Sequence, residues 1–176
     1  MLQQLKFFIG DVKSMAGRKK LRILFIWLSR GFWGVLSYRV DRGLFLIFGK
    51  SYTYIRVLLS PFFNLLQAYS NIDIHCSAQI GTGINILHPS MGIVISGKAL
   101  IGNSISLTGG NVIGAKKECG LREIVLGNNC TLGANAVVLG PIKIGNNVKI
   151  GALALVLKDC GDNKTLVGVP AKEVGD

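Results

Sequence analysis

An aliphatic residue recurs at every sixth position in three runs between Ile74 and Val156, and this period is the strongest constraint on the fold. A glycine follows many of these residues directly, as at Gly81 and Gly102. A hexapeptide period is typical of a parallel β-helix, in which each unit forms one flat side of a coil. The aliphatic side chain points inward, and the small residue after it allows the chain to turn the corner. The thirteen positions in phase are Ile74, Ile80, Ile86, Ile95, Ile101, Leu107, Ile113, Leu126, Leu132, Val138, Ile144, Ile150 and Val156.

Before the repeats lies a basic, aromatic-rich stretch, residues 1–70, which we predict to be a helical module separate from a coil domain over 71–176. It holds eleven Lys and Arg against only Asp11 and Asp41, within a chain of net charge +11. Residues 1–20 read as an amphipathic helix ending in a basic turn, and 52–69 as a helix interrupted by Pro61. Two interpretations stay open: a cap that packs on the first coil, and a peripheral anchor on an anionic membrane.

Composition narrows the cellular setting. No apolar run approaches the roughly 18–20 residues that cross a bilayer, and no cleavable signal stands at the N-terminus. The four cysteines form no CxxC pair, which favours reduced thiols. We therefore expect a cytoplasmic protein, with peripheral location at the inner face of the membrane as an open alternative. Two histidines are too few for a three-histidine zinc site, and no nucleic-acid-binding motif occurs, so we expect neither a metal nor nucleic acid.

The hexapeptide phase breaks twice, and the first break contains His88. Asp73 stands fifteen positions earlier, close to the roughly eighteen residues of one coil, so the two side chains can lie near one another on adjacent coils. A carboxylate beside an imidazole fixes its tautomer and raises its basicity. We therefore predict that His88 is a general base and Asp73 its partner. His75 lies in phase within a repeat and is interpreted as structural or supporting.

These motifs resemble the serine acetyltransferase type of hexapeptide-repeat acyltransferase. The resemblance covers residues 71 to 175. It is carried by Ile72-Asp73-Ile74-His75, Ile80-Gly81-Thr82-Gly83-Ile84, His88, Gly92-Ile93-Val94-Ile95, Leu107-Thr108-Gly109-Gly110, Leu132-Gly133-Ala134, Ile150-Gly151-Ala152 and the ending Val167-Gly168-Val169-Pro170-Ala171-Lys172.

The resemblance implies a mainly β chain with a left-handed parallel β-helix, a homotrimer and acetyl transfer from acetyl-CoA to a hydroxyl. Association of two trimers is an open alternative. In this interpretation His88 takes the hydroxyl proton, and a backbone N–H at Gly109 or Gly110 stabilises the oxyanion. The remaining predicted contacts to acetyl-CoA are Ala134 and Ala152 along the pantetheine arm, and Lys158 and Lys172 at the phosphates.

Three departures from the serine-specific pattern bear on the acceptor. Leu87 stands where those enzymes have Asp, and Glu123 follows Arg122 where they have His. The loop from 111 to 121 is longer and holds Lys116, Lys117 and Glu118. The helical module also looks unlike theirs. We therefore predict a sugar or glycan hydroxyl of bacterial surface polysaccharide synthesis as acceptor, contacted by Arg122, Leu87 and Glu123. The alternative is a serine O-acetyltransferase of cysteine biosynthesis.

Overall fold

The computed structural model describes residues 1–17, 21–116 and 119–174. Within these ranges, four α-helices precede the strands. Ser29 caps the third helix, since its side-chain oxygen accepts a hydrogen bond from Phe32 N at 3.2 Å. Asn71, in the left-handed region at φ 58°, ends the fourth helix. Pro61 lies inside that helix without interrupting it, which corrects the prediction. The helices are α1 (Leu2–Ala16), α2 (Arg22–Phe25), α3 (Arg30–Phe48) and α4 (Tyr52–Ser70), with 3₁₀ turns at Ile26–Leu28 and Gly49–Ser51.

The described part of the coil contains fifteen short strands in three sheets. All strand pairs are parallel except the last, between β14 and β15. The first sheet contains β1 (Ile72–Ile74), β4 (Ile93–Ile95), β7 (Asn111–Ala115), β10 (Val137–Gly140) and β13 (Leu155–Val156). The second contains β2 (Gln79–Ile80), β5 (Ala99–Ile101), β8 (Ile124–Leu126) and β11 (Ile142–Ile144). The third contains β3 (Asn85–Ile86), β6 (Ser106–Leu107), β9 (Thr131–Leu132), β12 (Lys149–Ile150), β14 (Thr165–Val167) and β15 (Lys172–Val174).

The inward-facing residues form the core that the period predicts. All thirteen aliphatic positions in phase are buried, with exposed fractions between 0 and 7%. Consecutive coils stack these side chains in register, as Ile74 pairs with Ile95 and Ile95 with Ile113. The predicted fold class, mainly β with a parallel β-helix behind an N-terminal helical region, is confirmed. The first residues of the loop predicted from 111 belong to β7, since Asn111–Ala115 continue the first sheet.

One corner of the coil is held by a ladder of asparagines, a signal that the sequence analysis did not use. Asn128 Oδ1 accepts from Asn103 N, and Asn146 Oδ1 accepts from Asn128 N, both at 2.8 Å. Asp162 closes the ladder by accepting from Asn146 N at 2.7 Å. Amide side chains therefore satisfy outward-facing backbone donors at the corner, where the strands no longer do so.

The helices cover the open end of the first coil. Gly34 of α3 lies so close to β1 that a Cβ there would stand 2.5 Å from Ile72 Cδ1, so only glycine allows this approach. Tyr38 Oη donates to the carbonyl of Ala78 at 3.0 Å, and Arg42 Nη1 to that of Cys76 at 3.0 Å. The structure thus realises the capping interpretation of the helical module. The 70/71 boundary matches the end of α4, while the division into two domains stays a prediction.

A buried ion pair joins two of these helices to the coil. Arg39 Nε donates to Asp11 Oδ2 at 2.8 Å, and the two side chains are 2% and 0% exposed. Asp11 Oδ1 also accepts from the N–H groups of Gly83 and Ile84, at 2.7 and 2.9 Å. Arg39 Nη1 donates to the carbonyl of Ile80 at 2.8 Å. Every charged group in this cluster therefore has polar partners, as a buried pair requires.

Two further sequence predictions concern the helical region. Within the described residues, no helix combines the length and apolarity needed to cross a bilayer. The basic turn predicted at 18–20 lies outside the described residues.

Candidate active site

One corner of the coil, between the third and first sheets, carries five of the eleven predicted site residues. We call it the His88 corner and define it by His88, Gly109, Gly110, Ala134 and Ala152. Backbone hydrogen bonds stack these positions coil upon coil, since His88 N donates to Thr108 O and Leu153 N to Ala134 O, both at 2.8 Å. The corner therefore forms a continuous edge that runs from His88 toward the C-terminal end of the coil.

His88 begins a short 3₁₀ turn, Pro89–Met91, at the start of this edge. Its N–H donates to Thr108 O at 2.8 Å, and its carbonyl accepts from Met91 N at 3.2 Å. The residue itself is exposed. The phase break thus fixes the backbone on both sides while presenting the imidazole outward. This is the arrangement that a general base needs to reach a substrate hydroxyl.

Asp73 lies outside the His88 corner, in the middle of β1, where it pairs in register with Val94. It borders a small cavity beneath α3 and α4, together with Asp41 and Arg56. Within the described chain its carboxylate makes no hydrogen bond to His88. The pairing of Asp73 with His88 therefore stays a prediction.

The two glycines proposed for the oxyanion already use their N–H groups. Gly109 N donates to Asn111 Oδ1 at 3.0 Å, and Gly110 N donates to Gly92 O at 2.7 Å. Both residues have positive φ, 139° and 68°, which glycine adopts readily. A role for either N–H in oxyanion binding would require one of these bonds to open. Their place near acetyl-CoA stays a prediction.

The other predicted acetyl-CoA contacts divide between this edge and the C-terminal end of the coil. Ala152 is exposed and Ala134 half-buried, so both leave room along the coil. Lys158 and Lys172 line one groove of about 410 Å³, whose floor includes Leu166. The structure therefore brings the two lysines together, but Lys158 lies between β13 and Cys160, which bridges to Ile144 of the second sheet, and so stands off the His88 corner. The lining of this groove is mostly apolar, and the carboxylates of Asp159 and Glu173 offset the charge of the two lysines.

A second groove, of about 280 Å³, lies beside His88 and contains a residue that the sequence analysis missed. Leu87 and Pro89, the two neighbours of His88, form part of one wall, and Arg22 and Phe25 of α2 form part of the other. Leu87 is 53% exposed, and Arg22 is also exposed. Among the described residues no carboxylate pairs with Arg22. Its charge is therefore available to an anionic group held next to His88.

Arg122 and Glu123 lie at a different corner, between the first and second sheets. With the Gln79 amide turned so that its oxygen faces the guanidinium, this oxygen accepts from Arg122 Nε at 2.9 Å and Nη2 at 2.7 Å. The Glu123 carboxylate accepts from Gly120 N and so closes the end of the loop. Lys116 precedes this turn, while the predicted loop residues Lys117 and Glu118 lie outside the described residues. A single chain does not bring Arg122 or Glu123 to the His88 corner.

The cysteines do not offer a nucleophile to this site. All four are buried and unpaired, as the prediction of reduced thiols requires. Burial raises the pKa of the Cys76, Cys130 and Cys160 thiols, which keeps them protonated at neutral pH. The arrangement favours direct transfer to an acceptor over a thioester formed on the enzyme.

Comparisons with known proteins agree with this architecture. Residues 123–158 match the family model described as bacterial transferase hexapeptide (six repeats). The chain is 39% identical over 168 residues to a serine acetyltransferase of Synechocystis sp., which covers 92% of this chain and 62% of that protein. It superposes with a TM-score of 0.82 on the serine acetyltransferase of Neisseria gonorrhoeae in complex with serine. That structure is 32% identical and covers 99% of this chain and 70% of the other.

A further structure, a serine acetyltransferase in complex with CoA, gives a TM-score of 0.79 at 26% identity over 98% of this chain and 70% of the other. The β-helical coil, the His88 corner and the matching family model together define a hexapeptide-repeat transferase. The chain belongs to the hexapeptide-repeat acyltransferases, and the relatives that it matches are serine acetyltransferases. It spans about three fifths of the length of the first of these relatives.

These matches correct two predictions. The sugar hydroxyl of polysaccharide synthesis is wrong as acceptor, because the relatives and the matching structures are serine acetyltransferases. The helical module is also not foreign to that group, since the structural match covers 99% of the chain and so includes α1 to α4. The sequence match over 168 residues also reaches into this region, so its likeness is not limited to the coil.

Proposed function

We propose that this chain is a serine O-acetyltransferase that uses acetyl-CoA. The observation that carries the proposal is the match, over 99% of this chain, to a serine acetyltransferase solved with serine bound. The exposed His88, at the start of an edge that carries Ala134 and Ala152, supports the same chemistry. A further matching structure was solved with CoA bound.

In the proposed reaction, the His88 imidazole accepts the proton of the serine hydroxyl as the serine oxygen attacks the thioester carbonyl. The C–O bond forms, the C–S bond breaks, and the imidazolium returns its proton to the CoA sulfur. The products are O-acetylserine and CoA. Ala134 and Ala152 would lie along the arm of the donor, and Lys158 and Lys172 would meet its phosphates. A general base of this kind contributes about a hundred- to ten-thousandfold to the rate.

The acceptor would lie in the groove beside His88. With Leu87 in place of an acid, this wall has no anionic partner for the ammonium group of serine. Arg22 offers a guanidinium to its carboxylate instead. We propose that serine is held mainly through its carboxylate, with Arg122 of a neighbouring subunit as a second contact.

A trimer would let the separate corners meet. His88 and Arg122 lie at different corners of a three-sided coil, and a cyclic three-fold assembly places a corner of one coil against its neighbour. The proposed assembly is therefore a homotrimer with a site between subunits.

The test is release of CoA thiol from acetyl-CoA with L-serine, with L-threonine and glycine as comparison acceptors. We expect release with L-serine and formation of O-acetylserine, and none with glycine, which lacks a hydroxyl. Absence of serine-dependent release from folded protein would overturn the proposal.

A further inference from the structure

The described surface of the helical region presents basic side chains and no acidic ones. The only two carboxylates of residues 1–70, Asp11 and Asp41, are 0% and 4% exposed. They pair internally with Arg39 and Arg56, at 2.8 and 3.3 Å. The exposed charges are therefore all positive. They are Lys6, Lys13, Arg22, Arg30 and Lys50.

The outer side of α1 combines these charges with apolar side chains. Leu2, Leu5 and Ile9 are 77%, 57% and 49% exposed. Lys6 and Lys13 lie on the same side, because residues three, four and seven positions apart share one face of a helix. Exposed leucines between lysines on one helix face leave apolar surface in contact with water, which is typical of an interaction site.

The segment after α1 adds further exposed apolar side chains beside that helix. Both α2 and the following 3₁₀ turn contact α1. They expose Leu24, Trp27 and Leu28 by 63%, 53% and 56%. We define the basic-apolar face as Leu2, Leu5, Lys6, Ile9 and Lys13 of α1 together with Leu24, Trp27 and Leu28.

From this combination we infer that the basic-apolar face docks on the surface of an anionic lipid bilayer. Leucine, isoleucine and tryptophan enter the boundary between headgroups and acyl chains, while lysines meet the anionic headgroups. A second copy of the same face is a poor partner, since it would set lysine against lysine with no carboxylate to compensate. The helices lie on the membrane and do not cross it. This inference is independent of the proposed acetyl transfer.

The experiment is co-sedimentation of the full chain with phosphatidylcholine vesicles that contain phosphatidylglycerol, and with pure phosphatidylcholine vesicles. We expect binding to the anionic vesicles only. The double variant Lys6→Glu/Lys13→Glu should lower that binding at least about tenfold, because each reversal replaces attraction to the headgroups by repulsion. The matched control is Lys143→Glu/Lys149→Glu, which makes the same change in net charge at exposed positions of the coil. It should bind as the wild type does.

A tryptophan signal reports which face meets the lipid. The chain has two tryptophans, so Trp33→Phe leaves Trp27 as its single tryptophan, which can be excited selectively over the tyrosines. We expect its emission to shift to shorter wavelength with anionic vesicles. Equal loss in both double variants would overturn the inference, as would an unshifted Trp27 or no binding to either vesicle. If the Lys6→Glu/Lys13→Glu variant differs from the wild type in its mass in solution, the inference is also overturned, in favour of a contact between copies.

Discussion

At the scale of single residues, the backbone and the side chain of His88 have different roles. Its N–H and carbonyl are both hydrogen-bonded, and its imidazole is exposed and makes no hydrogen bond or ion pair within the described chain. A change in the ring should therefore alter chemistry without altering structure.

We expect His88→Ala to lower kcat/KM for acetyl transfer by about a hundredfold or more, because the base is removed. Steady-state thiol release measures this, and a thermal melt shows that folding is kept. The matched control is His75→Ala, the other histidine. Its Nδ1 accepts from Ser77 N at 3.1 Å and so holds a turn of the fold, and its loss should change the rate less than threefold. Full activity of His88→Ala would contradict the assigned role.

Arg22 is the residue expected to act on binding rather than on chemistry. Arg22→Ala removes the only cation of the described groove beside His88, so KM for L-serine should rise about tenfold, with kcat changed far less. The effect is measured by varying serine at saturating acetyl-CoA. Lys50→Ala, an exposed cation at the other end of the helical region, is the control. An unchanged KM would place the serine carboxylate elsewhere.

At the scale of elements, the ion pair of Asp11 and Arg39 determines how α1 and α3 sit on the first coil. Both groups bond to the backbone between Ile80 and Ile84 as well as to each other. The same helices supply the cover of β1 and hold α2 near the groove. Their position is therefore tied to the site through buried charge.

We expect Asp11→Asn to lower the free energy of unfolding by about 3–5 kcal/mol, because it leaves Arg39 charged and buried without its carboxylate. Urea denaturation followed by circular dichroism measures this. The control is Glu173→Gln, which removes the carboxylate of an ion pair with Lys164 whose side chains are 48% and 47% exposed. An exposed pair contributes about 1 kcal/mol or less. Equal effects of the two changes would contradict the structural role of the buried pair.

At the scale of the whole molecule, the coil distributes its functional residues over separate corners. His88 lies at the corner between the third and first sheets, and Arg122 lies at the corner between the first and second. A proposed site that needs both must therefore draw on two chains.

Mixing two inactive proteins tests this. His88→Ala and Arg122→Ala should each be poorly active alone. After subunit exchange at equal amounts, roughly a quarter of the sites should combine an intact His88 with an intact Arg122. Activity recovered on mixing is measured by thiol release, with unmixed variants taken through the same exchange as controls. No recovery, with exchange verified by mass, would place the complete site in one chain.

The amino-acid sequence by itself determined the coil, its inward residues and its phase break at His88. These follow from a local period, in which each residue's neighbours along the chain dictate which side it faces. Arg22, the cover of the first coil and the internal pairing of Asp11 with Arg39 were decided only by tertiary structure. They depend on contacts between residues many positions apart, which no period encodes. The sequence did hold one signal of the buried pairing, namely that Asp11 and Asp41 are the only acids of a basic module. An isolated charge among apolar residues is often buried with a partner. The separation of His88 from Arg122 also belongs to tertiary structure. The way the chain winds through the three sheets places the two residues at different corners of the coil.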